Sequence, residues 1–265
     1  MIECSHLSFS DSLSALSPIA LDEMDSIKLM NRIDSKYLTD EAHLMEVLKD
    51  AAHAGYRVLE AEGVRISPYN SVYYDTEVLR MFMDHHNRRL VRQKVRTREY
   101  VNSGDAFLEI KRKNNKGRTN KKRISIPNTE LLDFRSDVKA CEYLAEKSWF
   151  HADELKPVLS TRFSRITLVN PAKTERLTID TNLLFHNYRT EQDATLYDAV
   201  IIELKQDGRT ESQMKGILLD HRVKPMRISK YCIAVTLTDK NARSGRFKTK
   251  VRTIEKTINK KINIQ

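Results

Sequence analysis

The chain has 265 residues, of which 40% are hydrophobic and 31% charged, a composition typical of a globular protein with one large domain or two small ones. Its net charge of +10 predicts an anionic partner: polyphosphate, nucleotide, nucleic acid or an acidic membrane surface. Cys4, Cys141 and Cys232 lack CxxC spacing, which argues against zinc and disulfide frameworks and favours reduced thiols in the cytoplasm. Residues 1–24 lack the basic start of a signal peptide, and no apolar run approaches the roughly 18 residues that span a bilayer.

The first half of the chain is predicted to combine helices and strands. A helix over residues 41–54 follows from apolar residues at helical spacing, with Thr39 or Asp40 as its N-cap and Gly55 just beyond its end. The other predicted elements, in chain order, are a helical turn at 22–25, a strand with a turn at 56–66, a strand at 71–75, a helix or turn at 76–87, and a meander of strands at 89–100, 105–113 and 121–127.

The second half continues in the same manner. A helix over residues 130–148 is predicted to turn Leu131, Leu132, Val138, Cys141 and Leu144 toward the core. Further elements are strands at 156–169, 176–180 and 199–205, a helix at 213–221, and a helix or strand at 228–237. About eight strands with a few helices indicate an α+β fold rich in antiparallel sheet.

The end of the chain differs in composition. Residues 239–265 carry nine Lys or Arg residues against two acidic ones, so this segment is predicted to be an exposed and only partly ordered basic tail. The folded domain is therefore assigned to residues 1–238 and the tail to residues 239–265.

Cationic side chains share one face of the central meander. Because strand side chains alternate, every second residue points the same way. Charged sheet faces are common, but rows of like charge on neighbouring strands repel one another. Repeated Arg and Lys rows therefore favour an anionic ligand such as phosphate, and a sheet curled into a barrel would place them inside a tunnel that holds a linear polyanion. The positions sharing this face are Arg92, Lys94, Arg96 and Arg98 in the first strand, Phe107, Glu109, Lys111 and Lys113 in the second, and Lys121, Arg123 and Ser125 in the third.

Nine short motifs recur in a fixed order from about residue 20 to residue 238. They are RIDSKYL (32–38), SVYYDT (71–76), KVRTREY (94–100), FLEIKRK (107–113), KKRISI (121–126), STRFSR (160–165), RLTIDTNL (176–183), IIELKQDG (201–208) and ISKYC (228–232). In this order they resemble the VTC domain, the polyphosphate polymerase branch of the CYTH-like triphosphate tunnel metalloenzymes. The resemblance implies an α+β fold in which an antiparallel eight-stranded β-barrel with flanking helices forms a tunnel lined by basic residues.

The resemblance also implies roles for individual residues. Glu203 is expected to hold Mn²⁺ or Mg²⁺, and Glu109 either adds a second metal ligand or orients Lys111. The residues expected to act on the phosphates are Lys36, Arg96, Arg98, Lys111, Arg165, Arg176 and Lys230, with Lys94, Lys121 or Arg123, and Lys205 as further phosphate-binding positions.

Each of these assignments has a structural alternative. The cations could pair across strands with Glu109 and Glu203, and Glu203 could form a salt bridge with a tunnel lysine. Asp180 lies on the Arg176 face and is predicted to pair with it. The adjacent histidines 85 and 86 lack metal-binding spacing and are predicted to lie at the surface.

The activity implied by the resemblance is transfer of the γ-phosphate of ATP onto a growing polyphosphate chain, whose terminal phosphate is the nucleophile. The family also implies a membrane protein partner, and the cysteine pattern already favours a cytoplasmic location. A triphosphate hydrolase of the same superfamily is the first alternative, although the E-x-E-x-K motif and dense acid set of those enzymes are absent here. A non-catalytic polyphosphate-binding module is the second. Nucleic acid is disfavoured as a partner because base stacking needs exposed aromatic residues, of which the cationic strands have almost none.

Overall fold

The computed structural model of the chain describes residues 11–25, 27, 32–208 and 211–262, so Cys4 and the first ten residues of the predicted domain lie outside the described part. No helix in these ranges is long and apolar enough to cross a membrane. The elements, in chain order, are β1 (Ser17–Ile19), α1 (Leu21–Asp25), β2 (Arg32–Asp40), α2 (Glu41–His53), β3 (Arg57–Leu59), β4 (Ser67–Asp75), α3 (Arg80–His86), β5 (Arg92–Tyr100), β6 (Asp105–Lys113), β7 (Thr119–Ile126), α4 (Val138–Lys147), β8 (Lys156–Val169), β9 (Glu175–Asn187), β10 (Gln192–Thr195), β11 (Ala199–Asp207), α5 (Gln213–Asp220), α6 (Lys230–Thr238) and α7 (Gly245–Thr257).

One large sheet organises the molecule. Its main hydrogen-bonded path runs through eight strands in the order β2-β11-β9-β8-β4-β5-β6-β7, and each neighbouring pair is antiparallel. Three short strands extend its margins, because β1 pairs in parallel with β3, β3 pairs with β8, and β10 pairs with β9. With helices packed on its apolar face, this sheet confirms the predicted antiparallel α+β fold.

The sheet curls, so that distant strands face one another. Lys111 in β6 interacts electrostatically with Glu203 in β11, although the two strands stand five places apart in the sheet order. On a flat sheet with a strand spacing of roughly 4.8 Å they would lie about 24 Å apart. The polar face is therefore the concave face of the sheet, which is the placement that a tunnel requires.

Helix α2 forms where its sequence predicts it. The Asp40 carboxylate accepts a hydrogen bond from the His43 backbone N–H and caps the helix, and its fully buried Leu44 and Leu48 pack on the apolar face of the sheet. Burial of such a side chain contributes roughly 1.5–3 kcal/mol. Gly55 ends the turn with φ of +76°, and a Cβ there would approach Pro171 to 3.1 Å, which explains the need for glycine.

The predicted helix over residues 130–148 is wrong in its first half. Only α4 is α-helical, and residues 128–130 and 134–136 form 3₁₀ turns. The Asp133 and Asp137 carboxylates accept hydrogen bonds from backbone N–H groups ahead of them, so each one favours a new start over a continuous helix. As a result Leu132 and Val138 are 46% and 69% exposed rather than in the core.

The expected disorder of the basic tail is also wrong for residues 239–262. They include α7, whose Phe247 and Ile254 are buried in the same apolar cluster as Leu38 of β2. Apolar residues at a spacing of three to four positions decide this packing, and the surrounding charges obscured them in the sequence. The division of the chain after residue 238 stays a prediction.

Candidate functional site

The concave face collects the cations whose alternation the sequence predicted. In the strand register Arg96 lies opposite Glu109, and Lys94 lies opposite Lys111. On the other side of the sheet Glu203 lies opposite Lys36. We call the surface that carries these residues the concave face. It also includes every second residue in line with them along β2, β4–β9 and β11.

Glu109 is at the centre of the first charge cluster. Its carboxylate is 1% exposed and accepts hydrogen bonds from Arg96, at 2.8 and 2.6 Å, and from Lys121 at 2.6 Å. Burial alone would raise the pKa of Glu109, but the nearby cations Arg96, Arg98 and Lys121 hold it well below its usual range. Glu109 therefore orients Arg96 and Lys121, and the proposed orientation of Lys111 is wrong because neither oxygen bonds to it.

The same cluster shows which of the two predicted cations of strand β7, Lys121 or Arg123, joins the charged face. Lys121 reaches Glu109, whereas Arg123 is exposed and lies over the Phe107 ring with its guanidinium carbon 4.2 Å from the ring centre. Lys121 is therefore the residue of this strand that joins the cationic lining.

Asp180 is at the centre of the second cluster. Arg165 donates two hydrogen bonds to its carboxylate, at 2.6 and 2.9 Å, in the paired geometry that matches a guanidinium to a carboxylate, and Lys230 donates a third. Burial opposes ionisation of Asp180, but the two cations hold its pKa well below the usual range. The predicted pairing of Asp180 with Arg176 is wrong, since the strand register sets Asp180 opposite Arg165.

Lys230 enters this cluster from the first position of α6. The Ser229 hydroxyl caps that helix by accepting a hydrogen bond from the Cys232 backbone N–H, so the helix begins at Lys230. Its ammonium nitrogen also lies 3.4 Å from the centre of the Phe163 ring. Burial lowers the pKa of Lys230 to about 7, even though Asp180 favours its charged form.

Glu203 stands apart from these clusters. Its carboxylate lies 3.6 Å from the Lys36 ammonium and, within the described part of the chain, accepts no hydrogen bond. Burial would raise the pKa of Glu203, but Lys36, Lys205 and Lys111 lower it to about 2, so the group is ionised at neutral pH. It is 21% exposed and is thus an accessible anion among cations.

Among the described residues, Lys94, Arg98 and Lys111 are cations of the concave face that form no ion pair with a carboxylate. Glu109 acts on Arg98, and Glu203 on Lys111, through charge alone. Lys94 donates to the Ser229 hydroxyl at 2.8 Å, and Arg98 donates from Nε to the Ser71 hydroxyl at 3.0 Å. We call these three residues the open cations. We call Arg96, Lys121, Arg165 and Lys230, each bonded to Glu109 or Asp180, the clamped cations.

Arg98 is the most unusual of the open cations. It is only 6% exposed, and burial together with Arg96 and Arg165 lowers its pKa to about 10. Lys111, by contrast, is exposed to solvent. Burying a charge that no carboxylate contacts is unfavourable, and an anion bound at the concave face would supply that contact.

The remaining site residues lie further along the same face. Arg176 and Lys205 are opposite one another in the β9–β11 register, two residues beyond Thr178 and Glu203. Both are partly buried. The structure thus places the predicted residues on one face, although Arg123, which lies opposite Glu109 in the β6–β7 register, turns toward the Phe107 ring and bonds to neither cluster.

Several contributors to the site were missed in the sequence. The Tyr73 hydroxyl accepts a hydrogen bond from Arg96 at 3.3 Å. Ser229 accepts from Lys94, and its position just before the predicted helix, at an N-cap, is a signal that could have identified it. His85 is not a free surface residue: its Nδ1 lies 3.0 Å from the Cys232 sulfur, and burial and the nearby Lys94 lower its pKa to about 2.

A metal site built from protein ligands alone is absent from the described residues, where no group of three His, Cys, Asp or Glu side chains could hold an ion. The carboxylates of Glu109 and Asp180 bond to cations, whereas that of Glu203 accepts no hydrogen bond among the described residues and is partly exposed. One carboxylate with phosphate oxygens and water is a ligand set typical of Mg²⁺ bound to phosphates, so the residues fit a metal that arrives with its substrate.

The family model described as the VTC domain matches residues 31–239. No curated protein matches the chain significantly. A candidate adenylate cyclase from Bacillus halodurans superposes with a TM-score of 0.49 at 13% identity, covering 76% of this chain and 96% of its own. The candidate adenylyl cyclase HpAC1 from Hippeastrum, a protein with dominant triphosphatase activity, gives 0.49 at 15% identity, covering 82% and 99%. Likenesses at this level carry no functional argument.

Proposed function

The chain belongs to the VTC domain family, and from this premise we propose that it is a metal-dependent ATP–polyphosphate phosphotransferase. It would transfer the γ-phosphate of ATP onto the end of a growing polyphosphate chain. The observation that carries the proposal is the set of open cations, and above all the buried Arg98, which forms no ion pair with a carboxylate in the described part of the chain.

The pattern of charge favours a linear polyanion. A single buried cation could be neutralised by a chloride ion, but Lys94, Arg98 and Lys111 lie on two neighbouring strands and follow the strand direction. A chain of phosphates repeats its negative charge along its length and matches such a row. Removing these charges from water is costly by several kcal/mol per ion, and bound phosphate oxygens offset that cost.

The clamped cations have a different part in the proposed reaction. Phosphoryl transfer depends on positioning and charge neutralisation more than on covalent chemistry by the protein. Arg96 and Arg165 are held by Glu109 and Asp180 before any ligand binds, so little reorganisation is needed when charge develops on the transferred phosphoryl group.

The proposed metal site is Glu203, which would hold Mn²⁺ or Mg²⁺ next to the phosphates. A divalent ion there supplies charge neutralisation at the phosphate oxygens that it contacts. Lys36 is the nearest cation to this carboxylate and would bind the phosphates on the other side of it. Arg176 and Lys205 would extend the phosphate contacts along β9 and β11.

The reaction needs no nucleophile from the protein. The bond between the γ-phosphorus of ATP and its bridging oxygen breaks, and a terminal oxygen of the polyphosphate chain forms the new bond. ADP leaves with the electron pair of the broken bond, and the chain is one phosphate longer. The membrane protein partner stays a prediction from the family, and the cytoplasmic location stays a prediction from the cysteine pattern.

The test is one assay with three substrate conditions. Purified protein with Mn²⁺ receives ATP, ATP plus a short polyphosphate primer, or tripolyphosphate alone, and products are separated on a gel. We expect polymer from ATP, its loss in Glu203→Ala, and no loss in Glu146→Ala, a matched control whose carboxylate is 67% exposed. Orthophosphate from tripolyphosphate without polymer would indicate a hydrolase. Tripolyphosphate binding without turnover, equal in Glu203→Ala, would indicate a binding module.

A further inference from the structure

Aromatic side chains occupy concave-face positions on four adjacent strands. Tyr69 of β4, Tyr100 of β5, Phe107 of β6 and Phe163 of β8 occupy these positions, and we call them the aromatic band. The register sets Tyr69 opposite both Tyr100 and Phe163, and it sets Phe107 opposite Arg98. The band therefore crosses the sheet at one level, next to the phosphate-binding cations.

The four rings form a continuous series of contacts. Tyr69 stacks on Phe163 with ring centres 5.4 Å apart and an interplanar angle of 13°. Tyr69 also meets Tyr100 at 5.0 Å, and Tyr100 meets Phe107 edge-on at 5.8 Å. This arrangement presents aromatic surface without a gap from β8 to β6.

One part of the band is accessible. Phe163 is 3% exposed and belongs to the core, whereas Tyr100 and Phe107 are only half-buried. The exposed Arg123 lies over the Phe107 ring, and its Nη1 lies 3.5 Å from the Tyr100 hydroxyl, to which it donates. Aromatic rings flanked by a guanidinium are the usual surface on which nucleic-acid bases stack.

The band adjoins groups that would hold a triphosphate. The Arg98 and Arg165 guanidinium carbons lie 5.3 and 4.9 Å from the centre of the Tyr69 ring. A nucleotide whose phosphates bind these arginines would extend its sugar and base toward the nearby rings. At the other end of the same rows the concave face carries Arg92 and Lys113, which lie opposite one another and offer charge but no ring.

We propose that the aromatic band, through Tyr100 and Phe107, binds the nucleobase of the nucleoside triphosphate donor. This assignment rests on the proposed function and gives the concave face a direction, with the nucleotide at the aromatic end and the polyanion chain toward Arg92 and Lys113. Stacking uses the π-face that every base has, so we expect discrimination between nucleotides and base-free phosphates but little between ATP and GTP.

The experiment is a calorimetric titration of the full chain with Mn²⁺ and either β,γ-imido-ATP or tripolyphosphate. We expect Tyr100→Ala and Phe107→Ala each to weaken the nucleotide about tenfold while tripolyphosphate is unaffected, because loss of one stacking partner has about that effect. Tyr100→Phe should retain the affinity. Trp149→Ala is the matched control, since Trp149 also carries an arginine over its ring but pairs with Arg112, on the opposite parity of β6.

The outcomes separate this inference from the proposed function. Equal loss of both ligands in Tyr100→Ala and Phe107→Ala would mean that the rings serve packing, and no loss of either would mean that the base binds elsewhere; both results overturn the inference. If the protein forms polymer from ATP, the proposed function stands even when one of these two results overturns the inference. If the protein binds nucleotide through the band but makes no polymer, the inference is supported and the proposed function is contradicted.

Discussion

The concave face contains two kinds of cation, and they differ in what neutralises them. The clamped cations Arg96 and Arg165 bond to Glu109 and Asp180, so their charge is balanced within the protein. Two of the open cations donate to hydroxyls instead, Arg98 to Ser71 and Lys94 to Ser229. Acids in a basic lining therefore stabilise and orient it, whereas cations that no carboxylate contacts are available to a ligand.

The largest effect on stability is expected from removing a clamp. Asp180→Ala would leave Arg165 and Lys230 buried without their common partner, and breaking a buried ion pair in this way costs roughly 3–5 kcal/mol. The free energy of unfolding from urea titration measures this loss. A cost below about 1 kcal/mol would mean that water solvates Arg165 and Lys230 in place of the carboxylate. It would contradict the claim that the clamped cations depend on their acids.

Removing an open cation is expected to weaken ligand binding while leaving the stability of the fold almost unchanged. Lys111→Met leaves no group unpaired, so the free energy of unfolding should stay within about 1 kcal/mol. Its affinity for tripolyphosphate should fall roughly tenfold or more, as expected for a charged hydrogen bond worth about 1.5–3 kcal/mol. Calorimetric titration measures the affinity, and Lys147→Met, on the outer helix α4, is the control. An unchanged affinity would remove Lys111 from the binding residues.

A pH dependence is expected from Lys230, which belongs to the clamped group. Burial lowers its pKa to about 7, so above that pH the free protein must take up a proton before Lys230 can face an anion as an ammonium. Affinity for tripolyphosphate should therefore fall as pH rises from 6 to 8.5. Because the ligand itself titrates, the comparison is with Lys230→Arg, whose guanidinium stays charged. Identical pH profiles for the two proteins would contradict the prediction.

The smallest effect is expected at Arg123. This residue is exposed and lies over Phe107 instead of joining the lining, so Arg123→Ala should change the unfolding free energy by less than about 0.5 kcal/mol. Tripolyphosphate affinity should stay within about twofold of the unchanged protein. A loss as large as that in Lys121→Ala would show that the two residues of β7 are equivalent.

The sequence predicted the faces of the strands because alternation is a local property. Arg96, Arg98 and Lys111 share the concave face as their spacing indicates, and Asp40 and Gly55 bound α2 through local hydrogen bonding and backbone conformation. These features depend on the period of the strand and on cap chemistry, neither of which needs knowledge of the tertiary structure.

Partner choice across the face could not be predicted in the same way. Asp180 pairs with Arg165 because of the β8–β9 register, which shifts between Arg162 and Ser164, and with Lys230 because α6 docks there. Glu109 bonds to Lys121 although the register sets Arg123 opposite it, and both cations have the same parity. Such contacts join residues far apart in sequence, and alternation alone does not specify them.

Arg98 is the best position at which to test whether the open cations bind the ligand, because it is buried and forms no ion pair with a carboxylate among the described residues. The measurement is the thermal unfolding midpoint of the wild-type chain and of Arg98→Met, each with and without tripolyphosphate. Ligand at 100 times its Kd should stabilise the wild type by about 2.7 kcal/mol. We predict that Arg98→Met alone unfolds at or above the wild-type temperature and gains little from the ligand. A variant that is destabilised when free, yet responds fully to tripolyphosphate, would contradict the claim that the open cations form the binding site.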